Sequence, residues 1–228
     1  MSDKLKNTRL LKVKVKSNKK RTESSRRWLE RQLNDPFVHL AKEKGYYSRA
    51  AFKLIEINDK YKILKPGTKV IDLGAAPGGW TQVIVEKLKS EQNPKSKVIG
   101  VDLNPISSIP QATLIVSDFT LESTQQQLLE MLDGKADVIV SDMAAPACGM
   151  VDVDHMRIMS LVEEAYLFAQ EVLKPGGHFV AKVLRGGTEA NLLKQLKLSF
   201  EKVSHFKPQS SRQDSAEMYV VCLKFRQR

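Results

Sequence analysis

Past Pro66-Gly67 the chain alternates short apolar runs with amphipathic stretches, and this rhythm leaves few folds open to it. Strands are expected at about residues 69–73, 97–103, 112–117, 136–142, 178–184, 200–206 and 218–225, and helices at about 79–90, 122–132, 155–173 and 188–199. Strand-helix-strand repetition needs crossover connections. These cover both faces of a mainly parallel sheet and leave ligands to the carboxyl ends of its strands. Only Lys207 to Ser215 separate the last two strands, with no helical pattern, so that pair is expected to be antiparallel. The fold class is α/β, with a mainly parallel seven-stranded sheet and helices on both faces.

A chain of 228 residues with 42% hydrophobic content can bury one such core and has little left for a second. The expected organisation is a basic flexible arm over residues 1–24 and one domain over residues 25–228. That domain opens with one or two short helices, interrupted near Pro36. A further helix follows, with Phe52, Leu54, Ile55, Ile57 and Tyr61 on its apolar side and Lys53 on the other. No apolar run approaches the roughly 20 residues of a membrane helix, and no secretory signal is expected. Cys148 and Cys222 are too few for a disulfide framework and lack metal-ligand spacing, which suits a reducing cytosol and excludes structural zinc as an expectation. His39, His155, His178 and His205 are scattered, and packing or surface roles are their default.

The net charge of +11 is concentrated at one end. Residues 1–49 hold 15 Lys or Arg against 5 Asp or Glu, while the remaining 179 hold 22 against 21. Between Lys4 and Arg27 the basic residues are mixed with Ser, Thr and Asn and lack a strong apolar face, so phosphate is favoured over a membrane surface as the partner.

Val70-Ile-Asp-Leu-Gly-Ala-Ala-Pro-Gly-Gly-Trp joins the first strand to its helix. Its glycines, including Gly78, permit a ligand to approach a helix N-terminus closely, although a glycine turn alone is weak evidence. Asp102, ending the second strand, is placed to accept from ribose hydroxyls, and Asp118, after the third, from an adenine amino group beside Phe119. A nicotinamide dinucleotide would explain the first carboxylate but not both together. S-adenosyl-L-methionine, a sulfonium on an adenosine without pyrophosphate, fits better and makes the fold a Rossmann-like methyltransferase. Asp72 reads equally as a structural strand-end residue, and Trp80 as packing or as a ligand contact.

Four ionisable residues from distant segments carry the candidate chemistry: Lys53, Asp142 in Ser141-Asp-Met-Ala, Lys182 in Ala181-Lys-Val, and Glu217 in Ala216-Glu-Met-Tyr. A lysine within an apolar strand is costly to bury unless paired. The motif of amino-directed methyltransferases, Asn or Asp before Pro-Pro and an aromatic, is absent after the fourth strand. With Trp28-Leu-Glu-Arg-Gln-Leu-Asn-Asp-Pro-Phe, Ser48-Arg-Ala-Ala-Phe-Lys-Leu, Asp72-Leu-Gly-Ala-Ala-Pro-Gly-Gly-Trp, Ser141-Asp-Met-Ala and Lys207-Pro-Gln-Ser-Ser-Arg-Gln-Asp-Ser-Ala-Glu-Met-Tyr in this order, the chain resembles the FtsJ (RrmJ) family of ribosomal RNA 2′-O-methyltransferases. The resemblance implies a catalytic tetrad of Lys53, Asp142, Lys182 and Glu217, and cofactor contacts from Gly78, Trp80, Asp102, Asp118 and Asp142. It also implies a uridine ribose of large-subunit ribosomal RNA, on the assembled particle, as substrate. Met143-Ala-Ala-Pro-Ala-Cys-Gly departs from the Met-Ala-Pro-Asn order of many relatives, so no contact by that asparagine carries over.

The expected partners are therefore large-subunit ribosomal RNA or its particle, with neither membrane nor metal. The chain is expected to act as a monomer in the bacterial cytoplasm, with a mitochondrial setting as the alternative. Three other readings compete: a non-catalytic ribosome-assembly factor, a small-molecule methyltransferase, and an RNA cytosine-5 methyltransferase using Cys148 near Pro146. The last needs a second motif cysteine that this chain lacks, and free cysteines usually pack as small apolar groups.

Overall fold

A computed structural model describes residues 13–15, 22–146, 148–184 and 190–226. Most of the expected flexible arm, residues 1–12 and 16–21, lies outside the described residues, as does the segment 185–189. Within the described part of the arm, Val13 exchanges main-chain hydrogen bonds with the Asn34 side chain at 2.8 and 2.9 Å.

Two short helices come first, α1 (Glu23–Leu33) and α2 (Pro36–Lys44). Their break follows from local chemistry. Asp35 accepts from the Phe37 N–H, and Pro36, with no N–H to satisfy, takes the first turn of α2. Gly45 then ends the helix in the left-handed region, at φ 74°. Next is α3 (Ala51–Tyr61), whose residues Ala51 to Ile55 are all buried, Lys53 included. Lys53 therefore does not stand on a solvent side of this helix. Its ammonium is buried and must be paired.

The sheet is built from β1 (Lys69–Leu73), β2 (Lys97–Asp102), β3 (Thr113–Val116), β4 (Ala136–Ser141), β5 (Leu173–Leu184), β6 (Phe200–Phe206) and β7 (Glu217–Phe225). Its spatial order is β3-β2-β1-β4-β5-β7-β6. The first five strands run parallel, and β7 inserts antiparallel between β5 and β6. The connecting helices are α4 (Gly79–Leu88), α5 (Glu122–Leu132), α6 (Val151–Val172) and α7 (Ala190–Ser199). Helix α6 starts a turn earlier than its apolar periodicity suggests. The Cys148 and Gly149 amides donate to the Asp154 carboxylate at 2.8 and 3.2 Å, which secures the extra turn.

The two-residue repeat of the strands divides the core cleanly. Ile71, Ile139, Phe179, Val220 and Cys222 pack with α5, α6 and α7 residues such as Leu128, Phe168 and Leu196. Val70, Val138, Val140, Val180, Tyr219 and Val221 face α3 and α4 residues such as Leu54, Ile57, Val83 and Ile84. By the same alternation Asp72 and Lys182 point toward α3 and α4. Charged residues within strands thus share a face with the helix that carries Lys53.

Phe179 sits at the centre of the first cluster, fully buried between Tyr166 and Phe200. Phe179→Ala is expected to lower stability by about 3–5 kcal/mol, read as a lower urea midpoint with unchanged slope.

Candidate active site

The strand order reverses direction between β1 and β4, where the crossovers diverge and open a crevice at the carboxyl ends. The loops leaving these two strands are drawn together. Asp142 donates its N–H to the Leu73 carbonyl at 3.1 Å, and Gly74 and Ala75 donate to the Val101 carbonyl. Gly74 has φ +77°, and a Cβ there would meet the main chain of Met143 at 2.8 Å, so only glycine allows this approach.

A cavity of about 280 Å³ occupies the crevice. Asp102, Leu103, Asp118 and Phe119 line one part, and Gly74, Asp142, Met143 and Ala144 another. Asp102 is fixed by the Ala76 N–H at 3.0 Å and the Asn104 N–H at 2.8 Å. Asp118 accepts from the hydroxyl and N–H of Thr120, and these bonds hold its carboxyl below the usual range. Both are thus oriented carboxylates with further accepting capacity.

Asp72, in β1, is fully buried. Thr81 donates to its Oδ2 at 2.7 Å, while Oδ1 has no partner. Burial, against the opposing Thr81 bond and helped by the nearby Asp142 and Asp102 charges, pushes its pKa up to about 7. Asp72 acts structurally through Thr81.

Asp142, Lys182, Lys53 and Glu217 come together beside this cavity. Lys182, 5% exposed, donates to the Asp142 carbonyl at 2.6 Å, and its Nζ lies 3.2 Å from the Asp142 carboxylate. Lys53, 7% exposed, pairs with Glu217 at 3.0 Å. Glu217 thus holds Lys53 rather than Lys182. The register explains the meeting: Lys182 stands opposite Tyr219, and Leu184 opposite Glu217, across β5 and β7.

Tyr219 is the residue that sequence reasoning missed. Its hydroxyl donates to Asp142 Oδ1 at 2.7 Å, and burial, then the Asp142 and Glu217 charges, raise its pKa well above the ordinary value. It therefore stays protonated as a donor. Burial alone would raise the Asp142 pKa, but the ammonium groups of Lys182 and Lys53 and the Tyr219 bond outweigh it and hold the carboxyl below its ordinary value. A fixed anion results. Two-residue spacing from Glu217 was the available signal for Tyr219.

Gly78 and Trp80 do not line the cavity. Trp80 is buried against Tyr219, with ring centroids 5.5 Å apart, and its indole N–H donates to the Ala50 carbonyl at 2.8 Å. Its side chain is committed to packing, which leaves only main-chain groups of the first turn of α4 for a ligand. Cys148 is exposed and lies outside the cavity lining, while Cys222 is buried in β7 and its thiol is pushed up by burial. Among the described residues no helix is long and apolar enough to cross a membrane, and no group of three or more His, Cys, Asp or Glu residues could hold a metal ion.

The donor set fits S-adenosylmethionine. Oriented carboxylates suit ribose and adenine, and the Asp142 anion suits a cationic sulfonium.

A model of the FtsJ-like methyltransferase family matches residues 46–225. The chain is 56% identical over 226 residues to the ribosomal RNA large subunit methyltransferase E of Parvibaculum lavamentivorans, covering 96% of this chain and 89% of that one. It is 49% identical over 212 residues to the enzyme of the same name from Rickettsia felis, covering 92% and 93%. Among solved structures, it superposes on a ribosomal RNA methyltransferase of Plasmodium falciparum with a TM-score of 0.70 and 34% identity, covering 79% of this chain and 98% of that one.

The two buried carboxyls oppose each other in pH dependence. Asp142, lowered in the fold, contributes stability above its unfolded value that is lost as pH falls through the lowered one. Asp72, raised in the fold, contributes stability below its unfolded value that is lost as pH rises through about 7. Asp72→Asn is expected to flatten the fall in the urea midpoint between about pH 4 and 7.

Proposed function

Because the chain belongs to the FtsJ-like methyltransferase family, we infer that it methylates the 2′-hydroxyl of a uridine ribose in large-subunit ribosomal RNA, using S-adenosylmethionine. The substrate is the assembled particle, and the protein works as a monomer in the bacterial cytoplasm. The basic arm over residues 1–24 adds phosphate contacts ahead of the catalytic domain, residues 25–228. The observation that carries this reading is the pairing of Lys182 with Asp142 and of Lys53 with Glu217 beside the cavity.

When bound, S-adenosylmethionine would supply a methyl group already activated on a sulfonium, ready for transfer to the ribose 2′-oxygen with release of the neutral thioether. The protein's task is to align these atoms and take one proton. Asp102 would hold the ribose hydroxyls of the cofactor, Asp118 its adenine amino group, and the Gly78 and Trp80 main chain its amino-acid end. Asp142, which lines the cavity, would lie toward a bound sulfonium, and it fixes Lys182 through two contacts. Lys182 passes its own proton to bulk water before the transfer and takes up that of the 2′-hydroxyl as the O–C bond forms. Lys53, steadied by Glu217, positions the acceptor nucleotide.

Lys182→Ala is expected to slow single-turnover methyl transfer by about 100- to 10,000-fold while cofactor binding, followed by calorimetry, persists. Near-wild-type transfer would sink the assignment. Mapping ribose methylation on large-subunit RNA with and without the protein tests the substrate.

A further inference from the structure

A second, polar cavity of about 380 Å³ adjoins the Lys53–Glu217 pair and is lined by Arg31, Arg49, Lys53, Arg212, Asp214 and Glu217, among others. It shares none of its lining with the cofactor cavity. Four cations meet two acids there. Glu217 is held by Lys53, and Asp214 stands exposed at the rim.

A single buried carboxylate organises two of the arginines. Asp35 caps α2, and its Oδ2 lies 3.1 Å from the Arg49 guanidinium and 3.2 Å from that of Arg212. Arg49 also donates to the Ser210 carbonyl, tying the segment before Glu217 to the start of α3. One anion thus serves two cations. Arg49 Nε and Arg212 Nη2 are buried with no hydrogen-bond partner. Burial also weakens the hold of the Arg49 guanidinium on its proton more than Asp35 restores it. Part-buried guanidinium groups that share one carboxylate beside a polar hollow are costly unless a further anion reaches them. Arg31 is exposed, its guanidinium engaged only with the Arg27 carbonyl at 3.4 Å among the described residues.

We propose that this cavity holds a backbone phosphate of the RNA strand, next to the ribose that reacts at Lys182, with Arg49 and Arg212 as inner donors, Arg31 as the rim contact and Asp35 as a positioning residue. The guanidinium fork matches phosphate oxygens two at a time. Lys53 then stands between phosphate and reacting ribose, fixing their separation. This site rests on the RNA 2′-O-methyltransferase reading above.

Binding of unmethylated large-subunit particles to the full-length protein, measured by filter retention across a salt series, tests it alongside S-adenosylhomocysteine affinity by calorimetry. Arg31→Ala and Arg212→Ala are each expected to weaken particle binding about tenfold and to reduce the slope of log K against log salt by about one. S-adenosylhomocysteine affinity should stay at the wild-type value. Asp35→Asn, which preserves the helix cap but removes the charge, should lower the slope as Arg212→Ala does, and Asp35→Glu should restore it. Lys224→Ala, at the far end of β7, should change neither reading. An unaltered slope in Arg31→Ala and Arg212→Ala with full S-adenosylhomocysteine affinity overturns the site. A wild type that binds the particle but transfers no methyl group overturns the functional reading alone, since the slope still judges the phosphate site. No particle binding by the wild type overturns both.

Discussion

Two ammonium groups lie buried within this domain, and each is tolerable only because a carboxylate reaches it. An unpaired buried charge costs several kcal/mol, roughly the size of a domain's whole stability margin. The Lys182–Asp142 and Lys53–Glu217 pairs are therefore conditions of folding. Tyr219 completes the arrangement, since a hydroxyl that keeps its proton can only donate to Asp142. The acid is fixed as an anion, and Lys182 is fixed by the acid.

The sheet supplies this geometry through parity and register. Alternate residues of each strand face opposite helical layers, so Lys182 and Tyr219 share the α3 side with Lys53. Because β7 runs against β5, its first residue arrives at the same edge as the last residues of the parallel strands. Glu217 belongs to the active edge for that reason.

Much of this was legible in the chain. The strand-helix alternation and the short segment 207–215 foretold a mainly parallel sheet with an antiparallel final pair, and both follow from connection length. That the acids at the ends of β2, β3 and β4 line one cavity was legible because strand ends are where such folds open a crevice. Tertiary choices were not legible. Trp80 was open between packing and ligand, and only the partner ring of Tyr219 and the Ala50 carbonyl decide for packing. The burial of Lys53 was hidden because Glu217, its partner, lies 164 positions away in the chain. The early start of α6 depended on Asp154 reaching back to Cys148, a contact invisible to periodicity.

The same long separation has a temporal meaning. Ribosomes deliver a chain from its amino end, and contacts between distant positions form late because loop closure must precede them. Lys53 and α3 emerge early, yet the strand bearing Glu217 and Tyr219 must slide between β5 and β6 after both exist. The Lys53–Glu217 and Tyr219–Asp142 contacts accordingly stay open through nearly all of the chain's synthesis, and close only when β7 is threaded home.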